Sequence, residues 1–262
     1  MGLAEWIDYY WNQIADPRTN DWPLAGSIFP VPTILAVYLI FVFFIGPQYM
    51  KNRQPYSLKT FIKLYNIFQI LANSWIVYSL IDAGWFTTIT IYCEPMDYSL
   101  NYGPYKLATT MWWAILLKLS DLIETVVYIL RKKHNQVSTL HLYHHVSTAL
   151  IQWVCTKYIP GGMSTFFLLV NCSIHVIMYT YYYLSTLGPN VRSVILPYKR
   201  LLTILQMIQF WGLMFYSLQA FKTGCNVPRS PAYMMITNLL INFGLFFHFY
   251  QTSYRKPQKK AN

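Results

Sequence analysis

With 262 residues, 55% of them hydrophobic and only 11% charged, and a mean hydropathy of +0.30, the chain carries too few ionic groups to cover a soluble protein of its size. A water-soluble globule is excluded. A net charge of +11 would suggest a nucleic-acid partner in such a globule, but here the basic residues are sorted between loops instead.

A helix needs about 20 mainly apolar residues to cross the hydrocarbon layer while satisfying its own backbone hydrogen bonds. Residues 1–23 come first. They are polar with Trp6, Tyr9, Tyr10, Trp11 and Trp22, which suits an interfacial segment, and they lack the basic start and short apolar run of a cleaved signal peptide. Apolar runs lie at about 25–45, 61–80, 109–130, 138–157, 163–187, 201–221 and 233–252. They predict an all-α, multi-pass membrane protein with seven transmembrane helices in a single transmembrane domain, residues 1–262. The second run carries Lys63, Asn66, Gln69 and Asn73, and the fourth a group of histidines; five crossings with two interfacial segments is the alternative. Pro30 and Pro32 predict a kink early in the first run. That run has no charged or amide side chain in its apolar portion, which predicts a peripheral, lipid-facing helix beside a compact unit of spans 2 to 7. The longest loop is about 81–108, and there is no internal repeat.

Segments 46–63, 131–133, 192–200 and 255–260 hold 14 of the 20 basic residues and none of the nine acidic ones, whereas Glu5, Asp8, Asp16, Asp21, Asp82, Glu94 and Asp97 fall on the other side. Excess Lys and Arg mark the cytosolic side, so the N-terminus is expected outside the cytosol and the C-terminus inside it. Lys259 and Lys260, four and three residues from the end, match the dilysine retrieval signal of endoplasmic reticulum proteins, an address read by a receptor. Cys93 and Cys225 fall in two loops on the lumenal side of this arrangement, where an oxidising compartment permits a disulfide.

Ionisable groups inside the bilayer are expensive and usually face a cavity or one another. In span 3, Lys118, Asp121 and Glu124 recur every three residues along one side. Span 4 opens with His141, His144 and His145, which share a face. Span 5 carries Asn171, His175, Met178, Tyr179, Tyr181 and Tyr182, and span 6 a stripe of Thr203, Gln206 and Gln209. Alternating helix directions place these groups at similar depth, in the cytosolic half to the middle of the bilayer. They describe an enclosed polar chamber below a basic mouth.

Four imidazoles beside carboxylates invite a metal reading, and a mononuclear zinc site is arithmetically possible; the six histidines of the chain fall short of a membrane di-iron set. Without a metal, imidazole serves as base, nucleophile or acyl carrier for an activated thioester, with His, Gln, Asn and Tyr donors for the oxyanion. The metal-free reading is adopted, and no bound metal or cofactor is expected.

The run Leu130-Arg131-Lys132-Lys133 through Gln136, Ser138, Leu140 and His141-x-x-His144-His145, then Asn171-x-x-x-His175-x-x-Met178-Tyr179-x-Tyr181-Tyr182, then Thr203-x-x-Gln206-x-x-Gln209, resembles the very-long-chain fatty acid elongases, the 3-ketoacyl-CoA synthases of the endoplasmic reticulum. One departure stands out. The family pattern reads Lys-x-x-Glu-x-x-Asp-Thr, whereas this chain has Lys118-x-x-Asp121-x-x-Glu124-Thr125; both carboxylates persist, each moved by one methylene.

The resemblance implies condensation of a long-chain acyl-CoA with malonyl-CoA to 3-ketoacyl-CoA, carbon dioxide and CoA, with helices 2 to 7 forming a barrel-like bundle around an acyl tunnel. It implies His144 as acyl carrier, His175 acting on malonyl-CoA, His141 and His145 orienting the box, and Lys118, Asp121, Glu124, Asn171, Tyr179, Tyr182, Gln206 and Gln209 in support. Arg131, Lys132, Lys133, Lys199 and Arg200 are the candidates for CoA phosphates. Partners implied are membrane lipids, a 3-ketoacyl-CoA reductase, a 3-hydroxyacyl-CoA dehydratase and an enoyl-CoA reductase. A seven-helix receptor or a histidine-lined transporter is the rival function.

Overall fold

A computed structural model of the chain describes residues 2–255; Lys259 and Lys260 lie outside the described residues. Within them the protein is helical, with no strand beyond an isolated bridge between Trp85 and Ile89. The helices are α1 (Leu3–Ile7), α2 (Pro30–Met50) and α3 (Lys59–Asp82), α4 (Tyr102–Asp121), α5 (Ile123–Leu130), α6 (Thr139–Tyr158), α7 (Ser164–Leu184), α8 (Pro189–Ile195), α9 (Tyr198–Phe221) and α10 (Arg229–Tyr254).

Five of these, α2, α3, α7, α9 and α10, are long and apolar enough to cross a membrane. α4 and α6 are each 20 residues long, but Lys118, Asp121 and the imidazoles lower their hydropathy. Of the two weaker apolar runs, the fourth, α6, is not among the five, and the second, α3, is. Its amides turn inward: Asn66, Gln69 and Asn73 are buried, while Leu64, Phe68, Leu71 and Trp75 stay exposed on the opposite face, as expected of a helix whose solvent on one side is lipid.

Pro30 and Pro32, expected to kink the first span, fall in the first turn of α2 rather than within it. Pro30 opens α2 at its first turn, where a missing N–H costs nothing and the fixed φ suits the helix. The helix therefore starts five residues later than the apolar run suggests.

α3 packs along α7 and against α4; α4 packs against α6, α6 against α10, α10 against α9, and α9 against α7. α2 lies outside this set, touching α6, with its last turn against α5, and it exposes Val37, Phe43 and Phe44. Cross-chain contacts define two ends. At one, Lys157 Nζ donates to Asn20 at 2.8 Å, Trp112 and Trp153 donate to the carbonyls of Pro23 and Leu24, and a disulfide joins Cys93 to Cys225, their Cα atoms 5.7 Å apart; this is called the disulfide face. At the other, Tyr56 N–H donates to the Leu130 carbonyl and Arg200 to Tyr250 OH; this is the basic face.

Candidate active site

The site grows from a single-residue interruption. α4 ends at Asp121 and α5 begins at Ile123, with Leu122 N–H turned back to the Leu119 carbonyl at 3.3 Å. This tightening toward 3₁₀ geometry turns the side chains of α5 away from those that end α4. Lys118 and Asp121 look toward α3 and α7, whereas Glu124 and Thr125 look toward α6.

On the first side, Lys118 Nζ donates to Asn171 Oδ1 at 2.7 Å and lies 3.4 Å from Asp121 Oδ2. Asp121 Oδ1 accepts from Gln69 Nε2 at 2.9 Å and from Tyr179 OH at 3.4 Å. Gln69 also reaches Tyr65 OH and Ser120 Oγ. Lys118, Asp121, Gln69 and Tyr179 are all buried, so an ion pair is kept in the interior because hydrogen bonds satisfy both partners. One turn beyond Asn171, His175 Nδ1 donates to the Asn171 carbonyl at 2.8 Å, which leaves the Nε2 of a neutral ring with its lone pair.

On the second side, His141 Nε2 meets Thr125 Oγ1 at 2.8 Å, and Thr125 Oγ1 meets Tyr38 OH at 2.7 Å. His145 Nε2 lies 3.7 Å from Glu124 Oε2, and the rings of His141 and His145 are 4.2 Å apart, centroid to centroid. His144 turns to the other flank of α6. Its Nδ1 is 3.1 Å from Asn242 Oδ1, and the Asn242 amide is oriented by donation from Nδ2 to the Asn238 carbonyl at 2.9 Å. With the amide oxygen facing the ring, Nδ1 is the donor and Nε2 of His144 keeps its lone pair.

The structure thus brings together the predicted Lys118, Asp121, Asn171, Tyr179 and His175 as one cluster, and Glu124, His141 and His145 as a second, joined through the α4–α5 backbone. Gln206 donates to Met178 Sδ at 3.4 Å, Gln209 is buried, and Tyr182 packs on Tyr179. Arg131 and Lys132 are half-buried and Lys133, Lys199 and Arg200 exposed, all on the basic face.

Sequence reasoning missed Asn242, Asn238, Tyr65 and Tyr38. Amides four residues apart in α10, Asn238 and Asn242, were the available signal. Tyr38 corrects the expectation that the first apolar helix stands apart from the site, because it reaches Thr125 from α2. A carboxylate oxygen of Glu124 and ring nitrogens of His141 and His145 lie within 4.8 Å of one another, the grouping a divalent ion would need. His141 Nε2 is already engaged by Thr125 at 2.8 Å, whereas His145 Nε2 stands 3.7 Å from Glu124, beyond hydrogen-bond distance.

The arrangement is that of a helical membrane protein with His145 and His175 buried and His141 and His144 half-buried among its helices. Residues 23–262 match the family described as ELO: GNS1/SUR4 family, and the chain belongs to that family. It is 37% identical over 256 residues to very long chain fatty acid elongase 7 of Drosophila melanogaster, covering 97% of this chain and 77% of that one. It is 36% identical to human very long chain fatty acid elongase 4, covering 98% and 82%, and 37% identical to mouse very long chain fatty acid elongase 1, covering 94% and 88%.

Proposed function

We propose that the protein condenses a long- or very-long-chain acyl-CoA with malonyl-CoA to give 3-ketoacyl-CoA, carbon dioxide and CoA, the first step of a two-carbon elongation. The observation that carries the reading is the commitment of Nδ1 in both His144 and His175 to a carbonyl oxygen, which leaves both Nε2 atoms for chemistry. Family membership sets the receptor and transporter readings aside.

In this mechanism His144 Nε2 attacks the acyl thioester carbon, the C–S bond breaks, and CoA leaves as its thiolate. The acyl-imidazolium keeps its Nδ1–H on Asn242 until that proton passes to the thiolate. Malonyl-CoA then loses carbon dioxide by C–C cleavage; His175, once protonated, donates to the enolate oxygen so created. The enolate carbon takes the acyl group and the C–N bond breaks; the imidazolate so released takes the proton that His175 had taken up from water, which returns the neutral imidazole. No step calls for a bound metal or redox cofactor.

The helix contacts α3–α4–α6–α10–α9–α7–α3 support a closed ring around an acyl tunnel, with α2 on its outside and seven crossings in all. Charge sorting supports a cytosolic basic face, where Arg131, Lys132, Lys133, Lys199 and Arg200 meet CoA phosphates, and a lumenal disulfide face. Residence in the endoplasmic reticulum, with a reductase, a dehydratase and an enoyl reductase as partners, belongs to the same reading. Mass spectrometry of purified protein given acyl-CoA alone tests it: the acyl mass is expected on His144, and condensation without any such adduct would show that malonyl-CoA attacks the thioester directly.

A further inference from the structure

An apolar cavity of about 90 Å³ lies between the ends of α4, α6, α7, α9 and α10 on the disulfide face. On α6 its lining residues Ile151 and Cys155 stand 7 and 11 residues past His144, about 10 and 16 Å along a helix rising about 1.5 Å per residue. The cavity is therefore where the far end of a chain carried on His144 would arrive.

On the disulfide face it is walled not by a helix but by an irregular strap, residues 90–97, fastened at three points. Gln219 Nε2 donates to the Ile91 carbonyl at 3.0 Å, Met163 N–H donates to the Glu94 carbonyl at 3.1 Å, and Cys93 is bonded to Cys225. The strap supplies Glu94 and Met96 to the cavity wall, and the segment just beyond Cys225 supplies Val227 and Pro228. Beneath the strap runs the Gly161-Gly162 turn. A Cβ on Gly161 would stand 2.9 Å from Met96 Sδ, and one on Gly162 would stand 2.6 Å from the Glu94 carbonyl oxygen, so the two segments touch with no room for a side chain between them.

We infer that this disulfide-fastened strap is the stop that sets acyl-chain length, with Met96, seated on Gly161, as the side chain the methyl end of the substrate meets. The inference rests on the condensing-enzyme reading and adds the element that limits its substrates. It also makes length selection sensitive to the redox state of the compartment on that face, since a dithiol reductant, itself oxidised to its disulfide, converts Cys93 and Cys225 to two thiols and releases one of the three fastenings.

The test is an assay of purified protein with a ladder of saturated acyl-CoAs and labelled malonyl-CoA. Met96→Ala removes three heavy atoms from the cavity wall. It is expected to raise the rate on the first rejected acyl-CoA, relative to that on shorter ones, roughly tenfold to a hundredfold, the usual worth of a methylene or two in an apolar pocket. Gly161→Ala pushes Met96 inward and moves the ceiling the other way, which a general loosening of the fold would not do. Cys93→Ala with Cys225→Ala, or reduction of the wild type, shifts the ceiling upward as Met96→Ala does. An unchanged ceiling in Met96→Ala and Gly161→Ala, with shorter substrates still converted, overturns the stop while leaving the condensing activity standing. Failure of the wild type to consume malonyl-CoA with any acyl-CoA removes the activity itself, and the stop with it.

Discussion

Nδ1 of His144 lies 3.1 Å from the side-chain oxygen of Asn242, a residue 98 positions away in sequence. The contact fixes the tautomer of the imidazole proposed to carry the acyl group, and it does so from α10, the last helix of the chain. Asn242→Ala leaves a buried N–H without an acceptor and frees the ring to flip; at about 1–3 kcal/mol the rate should fall roughly tenfold to a hundredfold. Rates of acyl-adduct formation measured on folded protein, with thermal stability followed alongside, check this, and a normal adduct rate would remove Asn242 from the mechanism.

The contrast between His144 and Asn242 also shows what the sequence could and could not carry. The three histidines of α6 were legible because imidazoles are costly in lipid and spacings of three and four suggest one helical face; in the fold His141 and His145 share that face toward α5, whereas His144 turns to Asn242 on α10. The amides of α10 obey the same rule, four residues apart, yet read as ordinary packing, since one amide in an apolar span has many uses. Asn66, Gln69 and Asn73 weaken their helix as an apolar run, whereas in the fold they are its inward face. The interruption at Leu122 had no signal: neither Gly nor Pro marks it, and it exists because α4 and α5 pack against different neighbours.

Lys118 and Asp121 form a buried ion pair, with side chains only 5% and 4% exposed. Removing one partner strands the other charge away from water, so Lys118→Met alone should cost about 3–5 kcal/mol. Lys118→Met with Asp121→Leu removes both charges and should be markedly more stable than either single change, a strongly non-additive pair. Thermal unfolding of the four proteins in one detergent gives the cycle; additive losses would mean that the two side chains are not coupled.

Gly162 adopts φ +49° with two strap carbonyl oxygens within 3 Å of where a Cβ would stand. Gly162→Ala therefore meets backbone that cannot retreat, in a conformation that costs L-residues about 1–2 kcal/mol by itself. Gly212 in α9 has open space around it, and Gly212→Ala should gain about 0.5–1 kcal/mol from helix propensity. Opposite shifts in melting temperature are expected from two chemically identical substitutions; a tolerated alanine at 162 would mean that the strap can lift off the turn.

Tyr38 OH and Thr125 Oγ1 are 2.7 Å apart, and Thr125 passes the contact on to His141 Nε2 at 2.8 Å. Both Tyr38 and Thr125 are buried, so neither has water as a substitute partner. Tyr38→Phe deletes one hydrogen bond and leaves the Thr125 hydroxyl free to rotate, worth about 1 kcal/mol or roughly fivefold in rate. Thr125→Val deletes the contact to the ring itself and should cost more. Because Tyr38 reaches the imidazole only through Thr125 in this chain of contacts, adding Tyr38→Phe to Thr125→Val should lower the condensation rate no further. If the double variant instead shows the product of the two single losses, α2 acts on the site by another route, through its packing against α6, and the hydroxyl chain is incidental to His141.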